Sequence, residues 1–70
     1  MTEYAVVIED AGNNFSAYVP DLPGCVATGS SVDDVKAAIA TAVAFHLRSL
    51  REHGEQVPLP TSQASTVQVA

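Results

Sequence analysis

Short apolar runs separated by turn-forming residues fill the first thirty positions of the chain. Segment 4–8 is dense in β-branched and aromatic residues, and segment 15–19 alternates apolar with polar side chains. The turn formers between these two segments favour an antiparallel hairpin. A third short run follows a proline-rich interruption. The pattern therefore predicts strands at about 3–9, 15–19 and 25–28.

The spacing of the apolar positions changes to that of a helix after Gly29. Ser31 has the chemistry of an N-cap, and Asp33 and Asp34 stand in the first turn, where negative charge suits the positive end of the helix dipole. The pattern predicts a helix over about 31–53. The stripe expected to face the sheet contains Val32, Val35, Ile39, Val43, His46 and Leu50.

The remaining segments complete a predicted β-β-β-α-β order. Segment 54–65 indicates a linker, and the composition of 66–69 is typical of a last strand. We predict a single α+β domain over residues 1–70, with a small antiparallel-rich sheet and one helix packed on one face. Because the first strand has apolar residues on both sides, we expect a second copy of the chain to cover the other face, giving a homodimer or higher oligomer.

A proline-rich corner separates the second and third strands. Its two prolines remove backbone donors, and the Pro-Gly pair favours a type II turn. We predict a fixed corner that the fold needs and that is also available for partner contact, formed by Asp21, Leu22, Pro23 and Gly24. Phe45 falls on the helix side away from the predicted core, so we interpret it as an interface residue.

Composition and charge narrow the class of function. The 70 residues include 8 acidic and 3 basic side chains, and the formal net charge is -5. A nucleic-acid-binding surface needs more cations, so we expect no direct DNA binding and favour a basic protein partner. The single cysteine, Cys25, fits a reducing cytoplasm and a buried strand position. The longest apolar run, 37–45, is less than half of the roughly 20 residues that cross a bilayer.

Few residues are candidates for catalysis or metal binding. Glu9, Asp10 and Asp21 are carboxylates that a metal-dependent nuclease would use, but solvated acids in turns explain the same residues. His46 and His53 are about 10 Å apart along the predicted helix, which is too far to share one ion. We therefore predict a binding protein with no catalytic residue, no metal and no cofactor.

Several of these motifs occur together in one order along nearly the whole chain. They are the first strand 4–9, the run Val19-Pro-Asp-Leu-Pro-Gly-Cys25, the segment 27–29, a helix opened by Ser31 and Asp34, and the helix end Phe45-His-Leu47. In this combination the chain resembles the HicB family of type II antitoxins. The resemblance implies a partial RNase H-like fold without enzymatic activity.

The resemblance also implies a partner. It implies binding and neutralisation of a small basic HicA-type toxin, an mRNA endonuclease, and the net charge of -5 suits such a partner. Family members that bind an operator use an additional C-terminal domain, and we expect no such DNA-binding domain in residues 1–70. Two alternatives remain: an oligomeric regulatory or scaffold module without a toxin, and the metal-dependent nuclease described above.

Overall fold

Three strands and one helix form the fold in the computed structural model, which describes residues 2–70. The elements are β1 (Val7–Asp10), β2 (Phe15–Tyr18), β3 (Val26–Gly29) and α1 (Val32–Glu52). The sheet order is β1-β2-β3 with both pairs antiparallel, so β1 and β3 are the edges. The predicted α+β class, with one helix on a small antiparallel sheet, is confirmed.

The core lies between the inner face of the sheet and the inner side of α1. Ala17 of β2 is directly opposite Ile8 of β1 and Ala27 of β3, and this row faces the helix. Fully buried apolar side chains fill the space between the two layers: Ala17, Val19, Leu22, Cys25, Val35 and Ile39. These residues come from β2, from Leu22 of the corner and the two residues that flank it, and from α1, so the proline-rich corner is part of the core.

Specific residues determine where α1 begins and ends. The Ser31 hydroxyl accepts a hydrogen bond from the backbone N–H of Asp34 at 3.0 Å, as an N-cap does. At the other end, Gly54 has a φ of +69° and donates its N–H to the Arg51 carbonyl at 3.1 Å. Gly29 allows β3 to approach the helix, because a Cβ at this position would lie 2.5 Å from the backbone nitrogen of Val35.

The observed strands differ from the predicted ones at both ends of the chain. β1 begins at Val7 rather than near residue 3, because β2 ends at Tyr18 and the chain then turns into the corner. The predicted strand at 66–69 does not form, and residues 55–70 contain no helix or strand. Val67 and Val69 are 86% and 88% exposed, since no sheet edge of the same chain lies beside them. Across residues 2–70, no helix combines the length and apolar character needed to cross a membrane.

Candidate functional site

The proline-rich corner is closed by backbone hydrogen bonds. Leu22 donates its N–H to the Val19 carbonyl at 3.1 Å, and Cys25 donates its N–H to the Leu22 carbonyl at 3.0 Å. The Leu22 side chain points inward and is 0% exposed, whereas Pro23 and Gly24 are exposed at the tip. Gly24 has a φ of +84°, which favours glycine. The tip of the corner is therefore accessible to a partner, whereas the Leu22 side chain is not.

Asp21 anchors the segment that follows the helix. Its carboxylate accepts hydrogen bonds from the backbone N–H groups of Thr61 and Ser62 at 3.1 and 3.0 Å, and from their hydroxyls at 3.0 and 2.9 Å. These bonds, above all the one from the Ser62 N–H, lower the pKa of Asp21 against an opposing effect of desolvation. Sequence reasoning missed this role, because nothing local connects Asp21 with two hydroxyl residues forty positions later.

A second contact holds the same segment. The Tyr4 hydroxyl donates a hydrogen bond to the Pro58 carbonyl at 2.6 Å. Together with Asp21, this bond fixes residues 58–62 beside the corner and the segment that precedes β1. Beyond residue 62, every side chain of the segment is exposed. We call residues 63–70 the tail.

The candidate catalytic carboxylates are not brought together. Asp10 lies opposite Phe15 at the hairpin end of the sheet, where its carboxylate accepts the N–H of Gly12 at 2.9 Å. Asp21 lies at the other end of β2 and is occupied by the Thr61 and Ser62 donors. Within residues 2–70, no group of three His, Cys, Asp or Glu residues is arranged to hold a metal ion. This arrangement does not favour two-metal nuclease chemistry.

The two histidines and the cysteine lie on α1, at its end and in the core. His53 lies at the end of α1, where a hydrogen bond at 2.7 Å joins its Nδ1 and the Ser49 carbonyl. His46 is half-buried on α1. Cys25 is buried, and burial raises the pKa of its thiol. A buried thiol with a raised pKa is a poor nucleophile.

Two apolar surfaces stay open on the outside of the fold. On the outer face of the sheet, Tyr18 lies directly between Val7 and Val26, and Tyr18 and Val26 are 41% and 65% exposed. On the outer side of α1, Phe45 is 64% exposed, and the Arg48 guanidinium lies 5.7 Å from the centre of its ring. These two surfaces have the aromatic character of protein interfaces.

A sequence model described as the HicB-like antitoxin of a bacterial toxin-antitoxin system matches residues 4–69. The chain belongs to the HicB-like antitoxin family. A chain of the solved HicA3 and HicB3 toxin-antitoxin complex has a similar fold, with a TM-score of 0.74 and 28% identity, and the match covers 86% of this chain and 70% of that chain. The resemblance found in the sequence is thereby confirmed.

The chain is also similar to two curated proteins, one from a phage and one from an archaeon. A 14.9 kDa protein from the rep-hol intergenic region of Haemophilus phage HP1 is 29% identical over 55 residues, which cover 79% of this chain and 41% of the phage protein. The UPF0150 protein Ta0767 of Thermoplasma acidophilum is 30% identical over 66 residues, which cover 93% of this chain and 96% of the archaeal protein. The chain thus spans less than half of the phage relative and nearly all of the archaeal one.

Proposed function

We propose that this HicB-like antitoxin binds a HicA-type mRNA endonuclease toxin directly and thereby neutralises it. The observation that carries the proposal is the structural match to a chain of a toxin-antitoxin complex, together with the family match over residues 4–69. The protein acts in the cytoplasm as a binding partner, without catalysis or a cofactor. Its net charge of -5 favours encounter with a basic toxin.

Phe45 is the proposed anchor of the toxin interface. Its ring is 64% exposed on the outer side of α1, and Arg48 restrains it through a cation–π contact. Aromatic and arginine side chains carry much of the free energy of binding in protein interfaces, and a restrained ring loses little entropy when it is buried. The exposed tip of the corner, Pro23 and Gly24, offers a rigid second contact, whereas Asp21 and Leu22 support the fold behind it.

Self-association is the second part of the proposal. The row Val7, Tyr18 and Val26 leaves an apolar strip across all three strands on the face that α1 does not cover. Burying this strip against a second copy removes apolar surface from water in both chains. An oligomeric regulatory module without a toxin would associate in the same way, so self-association alone does not identify the antitoxin function.

Co-expression with a HicA-type toxin tests the antitoxin function. We expect a complex that co-purifies and cell growth that is restored relative to the toxin alone. Phe45→Ala is expected to weaken toxin binding by at least about tenfold, while Asn13→Ala, an exposed change in the turn between β1 and β2, leaves binding unchanged. Absence of both complex and growth rescue would contradict the proposal. Equal affinity of the Phe45 and Asn13 variants would exclude Phe45 as the anchor.

A further inference from the structure

An apolar groove of about 430 Å³ lies between β1 and the inner side of α1. Its walls include Tyr4, Val6 and Ile8 on the β1 side and Ile39 and Val43 on the helix side. The groove exists because α1 packs across β3 and β2 and leaves the β1 side of the sheet less covered. The inner face of the fold is therefore incompletely filled along one edge.

The same edge of the sheet has no strand beside it. β1 is the first strand in the order β1-β2-β3, so one side of its backbone is not paired with another strand of this chain. An edge of this kind presents N–H and C=O groups that another extended segment can pair with. The groove and the strand edge together form an acceptor for an added strand with apolar side chains on one side.

The tail, residues 63–70, has the properties of such a strand. Thr66-Val-Gln-Val69 alternates polar and apolar residues, so an extended conformation places Val67 and Val69 on one side. These valines are 86% and 88% exposed. The radius of gyration of the chain is 13.4 Å, against about 11 Å for a compact domain of this length. The chain therefore extends beyond a compact domain, and the exposed tail forms part of that extension.

We propose that the tail of one chain adds as a strand to the β1 edge of a second copy and inserts Val67 and Val69 into the groove of that copy. Each chain carries one tail and one groove, so a reciprocal exchange between two chains occupies both tails and both grooves and closes a symmetric dimer. The inference rests on the proposed self-association and names the surfaces that carry it. It adds a contact distinct from the outer-face strip of Val7, Tyr18 and Val26.

The tail of a second copy is a better occupant of the groove than the tail of the same chain or a segment of a basic toxin. In the same chain, Asp21 holds residues 61–62 beside the corner, and both valines beyond this anchor stay exposed to solvent. Charge argues against the toxin, because segment 56–70 has no charged side chain and Lys36 is the only charged residue of the groove wall. An uncharged contact allows two chains of net charge -5 to meet without placing like charges together.

Sedimentation equilibrium of the purified 70-residue chain, from micromolar to millimolar concentration, tests the inference. We expect a reversible dimer whose dissociation constant rises at least about tenfold in Val67→Ser/Val69→Ser, because apolar surface in both tails is no longer buried. The matched control, Thr66→Ser/Gln68→Ser, changes the opposite side of the same tail and should leave dimerisation unchanged. Circular dichroism establishes that each variant is folded.

A complementation experiment separates tail exchange from other modes of association. Val6→Glu places a charge in the groove and leaves the tail intact, whereas Val67→Ser/Val69→Ser alters the tail and leaves the groove intact. Each variant alone is expected to dimerise weakly, and their mixture is expected to form a heterodimer through the one unaltered tail and groove. Failure of the mixture to associate better than either variant would overturn the inference.

The remaining outcomes distinguish this inference from the proposed function. A wild-type chain that is monomeric at every concentration would refute both self-association and tail exchange, while toxin binding would stand on its own test. A dimer that persists unchanged in Val67→Ser/Val69→Ser would refute tail exchange alone. An equal loss of dimerisation in the Thr66 and Gln68 control would refute the assignment of the two valines to the groove.

Discussion

Replacing Leu22 with alanine measures how much the proline-rich corner contributes to the fold. The Leu22 side chain is 0% exposed and belongs to the buried cluster that joins β2, the corner and α1. Truncating a fully buried leucine costs about 2–5 kcal/mol of unfolding free energy, since apolar burial is lost and a cavity is left. A domain of 70 residues has a total stability of roughly 4–10 kcal/mol. At about 4–8 °C per kcal/mol for a domain of this size, Leu22→Ala should therefore lower the melting temperature by roughly 8–40 °C.

Leu59→Ala is the matched control for this substitution. Leu59 undergoes the same chemical change, but it is 79% exposed, so its truncation should change the stability by no more than about 0.5 kcal/mol. Thermal and urea unfolding, followed by circular dichroism at one protein concentration, give both values. If Leu22→Ala were as stable as Leu59→Ala, the corner would not be part of the core, and its leucine would have to be explained by partner contact.

Two further predictions concern the elements that the corner and β3 hold in place. Gly29→Ala should destabilise the fold by about 1–3 kcal/mol in urea unfolding, since its Cβ would lie 2.5 Å from the Val35 nitrogen; an unchanged midpoint would contradict the close approach. Asp21→Asn should lower the melting temperature at neutral pH. The folded-state pKa of Asp21 is lowered, so the ionised Asp21 carboxylate stabilises the fold above its ordinary pKa. This stabilisation is lost as the pH falls through the lowered pKa. The melting temperatures of the wild type and of Asp21→Asn should therefore converge in acid. A constant difference down to about pH 2 would refute this role.

The helix and the hairpin were predictable from the sequence because local chemistry specifies them. The Ser31 hydroxyl, three residues from the amide that it caps, and Gly54 at the helix end are visible in the chain itself. The turn formers between β1 and β2 specify the hairpin in the same local way. The boundaries of β1 were less predictable, since a strand extends only as far as its partner does.

The role of Asp21 was not predictable from the sequence. The residue was a candidate for partner contact or metal binding, but its four hydrogen bonds reach Thr61 and Ser62, forty and forty-one positions away. No pattern of spacing or composition connects these residues. Only the return of the chain after α1 brings the two hydroxyl residues to the carboxylate.

Local chemistry along the chain specifies the elements that depend on neighbours a few residues away: the hairpin, the corner and the capped helix. It also carries the family pattern that indicates an antitoxin. Which residues are available for binding depends on how the layers pack, because packing sets the burial of each side chain. The tertiary structure buried Leu22, engaged Asp21, and left Phe45 and the row of Val7, Tyr18 and Val26 in contact with solvent. It also left residues 66–69 without a partner strand, since a β-strand needs an adjacent edge that composition alone does not supply.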